Sequence, residues 1–358
     1  MLKFSHYNIS YCVMLANMAL GVLLSAVAGL GTGSSFWPMK VIRKLHFEHY
    51  WFIGMLPLLI IPWAVMLLSV NNLSAVFSEI GWRPLIISNL FAISWGVANV
   101  LAGICTARIG FTLTGAILTG VSTIITVTIP MILKGSGIFN GSPGLASVPG
   151  LMILSGVAIT LFGVILSAKA GFGREKIQAV NNTVRPSSGS FLVGLVLVII
   201  AGVLAIGQAF AFVYSQDPII TAMRNHGAGG TSANFGFWAI GLLGGILVNI
   251  LYPALLMFKN KSWGVLKQSP RELLLSTLIG SQLIVAFSIQ GIGMIALGAL
   301  GASVGTGIKQ AMQFISGQGV GFISGEWKGI SGKPINQMIT AGVLLVLAVV
   351  LMVFARIA

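Results

Sequence analysis

Ten runs of about 20 mostly apolar residues can be drawn along this chain, at roughly 11–31, 51–70, 84–106, 110–133, 149–168, 190–213, 234–258, 273–298, 301–325 and 336–356. A helix rises about 1.5 Å per residue, so each run can cross a hydrocarbon core ~30 Å thick. Lipid offers no partner to an open strand edge, and the ten-residue alternation of a β-barrel is absent, so every run is read as helix. With 56% hydrophobic and only 7% charged residues in 358, a soluble fold could not cover its own apolar surface. The expected fold class is an all-α polytopic membrane protein with ten transmembrane helices.

The net charge of +14 is no sign of nucleic acid, because the basic residues lie mostly in the short gaps between runs. The gaps after the odd-numbered runs hold fourteen of them, including Lys40, Arg43, Lys44, Arg174, Lys259 and Lys333. The opposite side holds Lys3, Arg83, Lys134, Arg224 and Arg356. The positive-inside rule makes the odd-numbered gaps cytoplasmic and puts both termini outside, as expected for a bacterial inner-membrane protein. Ala26, Val27 and Ala28 have the form of a signal-peptidase site, but only Lys3 precedes that run while three basic residues follow it. That order describes a retained helix.

Five spans per half place a second copy upside down in the membrane. Met152-Ile153-Leu154-Ser155-Gly156-Val157 and Met338-Ile339-Thr340-Ala341-Gly342-Val343 align at about half the chain length, and the basic link 170–190 lies between the halves. The expected division is a first five-helix repeat at 1–185 and a second, inverted one at 186–358, forming one membrane domain. Gly29 and Gly33, Gly241 and Gly245, and Gly317, Gly321 and Gly325 fall on helical ridges, where small residues let helices pack closely.

Polar side chains inside the spans are candidates for a cavity. Trp95 and Asn99 lie one turn apart, with Asn89 further back; Thr119, Thr123 and Thr126 form a stripe ending at Pro130; Gln208 and Asn249 stand in the sixth and seventh spans; Gln282 and Gln290 are two turns apart in the eighth. Each Thr can instead bond its own helix, and each amide can bond a neighbouring helix. Amides, hydroxyls and aromatic faces suit a polyhydroxylated solute, with Phe36 and Trp37 as a stacking wall. All six acidic residues and all four His lie in loops or at span ends, Cys12 and Cys105 fall within apolar runs, and no HExxH, nucleophile elbow or phosphate loop occurs. An enzyme is therefore not expected, nor is a cofactor or a metal site.

The stretch 305–334 stands apart. Lys309, Gln313 and Ser316 make a polar line with Thr306 and Gln310 beside it, on a face unsuited to lipid. Lys309 has two readings: its stem snorkels to the outer interface, or it faces the cavity as a substrate contact or coupling group. Glu326 reads either as a solvated ion-pair partner of Lys328 and Lys333 or as a second coupling candidate.

Taken together, the residues resemble the L-rhamnose–proton symporter family of the drug/metabolite transporter superfamily. The likeness runs through Phe36, Pro38, Lys40, Lys44, Phe47, Glu48, Trp51 and Gly54, then Pro62-Trp63-Ala64, then Trp95, Gly96 and Asn99 with Gly103, Arg108 and Gly110. It continues at Gly244-Gly245 with Asn249, Leu275-Ser276-Thr277-Leu278 with Gly280, and Glu326-Trp327 with Lys333-Pro334. It implies ten helices, inverted five-helix repeats and proton-driven sugar uptake. The ninth span departs from the family's more aromatic and hydroxylated pattern at Gly305 to Gln313, so the solute need not be rhamnose. The leading expectation is a secondary carrier of a deoxysugar or related small polar metabolite. Its contacts would be Lys309, Gln313, Trp95, Asn99, Trp37, Gln208, Gln282 and Gln290, with Lys309 and Glu326 as coupling candidates. The alternatives are an exporter of amphipathic compounds, favoured by a wide, aromatic cavity poor in amides, and a membrane-embedded enzyme or non-transporting protein.

Overall fold

The computed structural model describes residues 2–109, 111–133, 143–180, 191–298 and 304–354. Its helices are α1 (Leu2–Ser34), α2 (Phe47–Ser69), α3 (Leu73–Ile80), α4 (Trp82–Ile109), α5 (Phe111–Ile132), α6 (Val148–Val180), α7 (Phe191–Leu204), α8 (Gly207–Asn225), α9 (Gly230–Gly236), α10 (Leu243–Lys259), α11 (Pro270–Leu297), α12 (Thr306–Ile323) and α13 (Lys333–Phe354). Short 3-10 turns follow α1 and α10, and a π turn, Phe237–Gly241, joins α9 to α10. No strand occurs among the described residues. Large apolar side chains such as Leu68, Leu192, Leu255 and Phe258 point outward, as lipid requires.

Eight helical stretches among the described residues are long and apolar enough to span a membrane, and a ninth if the bent pair α9–α10 counts as one span. The expected ninth run corresponds to α12, which is not among them: Lys309 and four glutamine or serine side chains dilute its apolar character. Three further differences have local causes. The link 170–190 begins as helix, because α6 continues to Val180, and 181–190 lie outside the described residues. The sixth run is broken between Leu204 and Gly207 and then extends to Asn225. Ser94 Oγ donates to the Leu204 carbonyl at 3.1 Å, so α4 satisfies a group that the break frees. In the seventh run α9 and α10 meet at 54°. Ser88 Oγ donates to the Gly241 carbonyl at 2.6 Å, Asn89 Nδ2 donates to the Ile240 carbonyl at 2.8 Å, and Asn89 Oδ1 accepts from the Gly244 N–H at 2.6 Å. Asn89 is thus used up in holding this bend.

Helix α3 was too short to be expected as a span. Asn72 Oδ1 caps it by accepting from the Ala75 N–H, Gly81 ends it at φ +72°, and Val76 and Ile80 are buried beneath it. With α3, helices α2, α4, α8 and α11 and the bend at 237–241 enclose the main apolar core. At its centre Phe212, Phe237 and Trp238 touch one another, and Trp238 stacks on Phe287 with centroids 5.2 Å apart.

The helices pair in a regular way. Helix α1 packs on α11 and α12, while α7–α8 packs on α4 and α5; α2 packs on α11, while α10 packs on α4; α5 packs on α6, while α12 packs on α13. Three further contacts join α2 to α9–α10, α5 to α12, and α6 to α13. Close glycine packing is found at Gly29 and Gly33 against α12 and at Gly245 against α4. A Cβ at Gly29 would lie 2.7 Å from Met312 Cβ. Gly317, Gly321 and Gly325 make no such approach; Gly325 serves a turn at φ +82°.

Candidate functional site

Two adjoining lobes of about 210 and about 110 Å³ lie among α1, α2, α4, α5, α8, α11 and α12. They share Phe36, Trp51, Asn99, Leu118, Thr119 and Gln313, so they form one cavity. Together they reach the lower end of the roughly 300–1,000 Å³ range of small-ligand sites. The larger lobe reaches Met39, Phe47, Thr106, Thr114 and Gln318, close to the α1–α2, α4–α5 and α12–α13 connections. The smaller lobe lies deeper, against Trp95, Gln208, Phe287 and Lys309.

Of the residues singled out from the sequence, Trp95, Asn99, Gln208, Lys309 and Gln313 come together on this cavity. Trp95 and Asn99 face it because a separation of four residues puts them on one side of α4. Gln208 is presented at the start of α8 by the break after α7, and its Nε2 is buried without a partner. Broken helices at the centre of a membrane bundle are tolerated where they line a cavity.

Three expected contacts lie elsewhere. Trp37 is 39% exposed and lines neither lobe; it is Phe36 that does. Gln282 donates to the Gly31 carbonyl at 3.0 Å and to Ser34 Oγ at 2.8 Å, tying α11 to α1. Gln290 is buried, with its amide nitrogen directed at Met294 Sδ. On the cavity side, the sequence reading missed Trp51 as a contact. Its ring stacks between Phe36, at 6.1 Å and 5°, and Phe47, at 5.5 Å and 22°. Its Nε1 donates to Asn249 Oδ1 at 3.1 Å, which fixes the indole in place and accounts for Asn249. The spacing of Phe47 and Trp51, one helical turn, was the available signal. Thr119 and Ser122 also line the cavity, while Thr123 Oγ1 is bonded both to the Thr119 carbonyl and to the Gln310 side chain.

Lys309 is 6% exposed and lines the smaller lobe. Its ammonium lies 5.6 Å from the Phe287 ring centroid and has neither hydrogen bond nor ion pair among the described residues. A cation–π contact contributes about 0.5–2 kcal/mol. Removing an ammonium from water costs several kcal/mol, so the ring offsets only part of that.

Glu326 has the opposite surroundings. It forms ion pairs with Lys40, at the end of the 3-10 turn after α1, and with Arg174 Nη1 of α6, the latter at 2.7 Å. The expected partners Lys328 and Lys333 are not the ones it meets. Burial pushes the Glu326 carboxyl up, but the hydrogen bonds and charges of Lys40 and Arg174 outweigh this and hold it below the ordinary carboxylate value. Arg174 also lies over the Trp327 ring, 5.2 Å from its centroid. Glu326 lines neither lobe. No cluster of three or more His, Cys, Asp or Glu that could hold a metal occurs among the described residues.

A family model described as L-rhamnose-proton symport protein (RhaT) matches residues 14–357. Proteins named L-rhamnose-proton symporter from Pectobacterium atrosepticum and Cronobacter sakazakii are 22% and 23% identical over 338 and 340 residues. Each alignment covers 92% of this chain, with 95% and 96% of the relative. One from Yersinia pestis is 23% identical, over 92% of this chain and 95% of its own. The family is one of multi-pass membrane transporters and not of enzymes. By a match that runs through both halves of the molecule and every helix on the cavity, this chain belongs to the L-rhamnose-proton symport protein family.

Proposed function

We propose that the chain is a secondary carrier that takes up a deoxysugar or a related small polar metabolite together with a proton, by alternating access. The observation that carries this reading is the meeting of Trp95, Asn99, Gln208, Lys309 and Gln313 on one cavity. The relatives' names supply the sugar and the proton. The carrier has ten spans, with α7–α8, the bent pair α9–α10 and the polar α12 counted as one each. They form two inverted five-helix repeats, 1–185 and 186–358. Support comes from the pairing of helices, since exchanging the first five spans with the last five reproduces the packing described above. The connections after odd-numbered spans are cytoplasmic, and the larger lobe reaches toward that side while the aromatic core closes the other. The repeats rock about the cavity. Of the two coupling candidates, Lys309 is the one that faces it.

Uptake of labelled L-rhamnose and other deoxysugars into proteoliposomes under an inward proton gradient tests the reading. Entry that collapses with an uncoupler is the expected result. An exporter of amphipathic compounds is favoured by the aromatic and Met side chains of the larger lobe, Phe36, Met39, Phe47 and Tyr50. Hydrophobic cations leaving the vesicles, with no sugar entering, would replace the carrier reading by that one.

A further inference from the structure

The lining of both lobes contains a single charged side chain, Lys309, and the only other titratable group on it is the phenol of Tyr50. No Asp, Glu, His or Arg faces the cavity from α1, α2, α4, α5, α8 or α11 among the described residues. The lysine cannot easily turn away. Its backbone carbonyl is pressed against Gly29 of α1, Met312 fills the next contact of that interface, and its side chain runs from there to the face of Phe287. A buried ammonium whose only described partner is one ring keeps most of its desolvation cost. An anion entering the cavity would remove that cost, whereas a neutral sugar would leave it in place.

We propose that the solute is a sugar acid, a polyhydroxylated monocarboxylate whose carboxylate pairs with Lys309 while its hydroxyls bond the side chains of Asn99, Gln208, Gln310, Gln313, Thr119 and Ser122. This rests on the carrier reading above and narrows its substrate class. A carboxylate matches one ammonium charge for charge. A phosphate ester carries close to two negative charges and is often met by arginine, and no arginine lines these lobes among the described residues. The amides and hydroxyls are each donor and acceptor, as a ring of sugar hydroxyls requires. The indole of Trp95 provides a flat face for the apolar side of the ring.

The test is binding to the purified full-length protein in detergent at neutral pH, read by thermal shift and by tryptophan fluorescence. The probes are the matched pairs L-rhamnonate with L-rhamnose and galacturonate with galactose, plus galactose 1-phosphate. At least one acid is expected to bind tenfold or more tightly than its neutral partner. Lys309→Met is expected to remove that preference, and Lys309→Arg to keep it. Should Lys309→Met not fold, the wild-type ratio and the arginine variant decide. A neutral sugar that binds as tightly as its acid, an acid preference that survives Lys309→Met, or a phosphate ester that binds more tightly than galacturonate each overturns the proposal. Neutral rhamnose that binds and enters vesicles with protons while the acids do neither sinks this proposal alone. Failure of every sugar and sugar acid to bind or enter sinks the carrier reading with it.

Discussion

Lys309 lies in the first turn of α12 and Glu326 just past its end, with about 20 Å of helix between them at ~1.5 Å per residue, and their surroundings are inverted. The acid sits between Lys40 and Arg174, so its charge is met by the turn after α1 and by α6. The base sits in a cavity over Phe287, and no opposite charge in the described protein meets it. A charge already paired by the protein ties helices together; one left unpaired in a cavity costs stability and has something to gain from a ligand. One end of the helix is therefore read as a fastening and the other as a receptor.

Substitution should separate these roles. Lys309→Met has the largest expected effect: uptake falls by about 2 kcal/mol or more in transition-state terms, roughly 30-fold, while the melting temperature holds or rises. Uptake assays and thermal melts of one preparation check both halves, and a joint fall would break the comparison. Glu326→Gln should do the reverse, lowering stability by about 1–2 kcal/mol, a figure kept small because the carboxylate is partly exposed and screened. Chemical or thermal denaturation against wild type measures it, with substrate affinity unchanged.

The pH dependence sharpens the same contrast. Because folding lowers the Glu326 pKa, its stabilising contribution is present above the unfolded value, near 4.5, and is lost as the pH falls through the lower folded value. The gap in melting temperature between wild type and Glu326→Gln should be full at neutral pH and close on acidification below about 4.5. A gap that widens in acid would deny the ion pairs their role. Smaller still, Gln313→Ala should weaken substrate binding by about 1 kcal/mol, a several-fold change in a titration. Trp37→Ala should alter binding by less than about 0.5 kcal/mol, because the ring lies outside the cavity.

What the sequence made legible was whatever depends on one helix at a time. Hydropathy located eight or nine of the ten expected spans among the described residues, and four-residue spacing put Trp95 and Asn99 on one face. What it could not supply was the neighbour of each face. Gln208 and Gln282 look alike in the sequence, yet one ends in the cavity and the other is used to tie α11 to α1. The break before Gly207 and the bend at 237–241 were hidden for the same reason. The groups that make them tolerable, Ser94, Ser88 and Asn89, all come from α4. Lys309 stands out in the sequence as a charge within an apolar run, but its neighbours, the Phe287 ring and the α1 contact at Gly29, come only from the packing.

The polarity of α12 also bears on how the protein is made. A lysine raises the cost of translocon-mediated insertion by up to about 2.5–3.5 kcal/mol at a helix centre and by less toward an end, and α12 lacks the hydropathy of the spanning helices to offset it. Its partner α1, with Gly29 and Gly33 ready to receive Met312 and Ser316, leaves the ribosome long before it. Entry of α12 into the bilayer is then an assembly step, completed against helices already in place, and changes at Gly29 or Gly33 should first show themselves as lost yield in membranes.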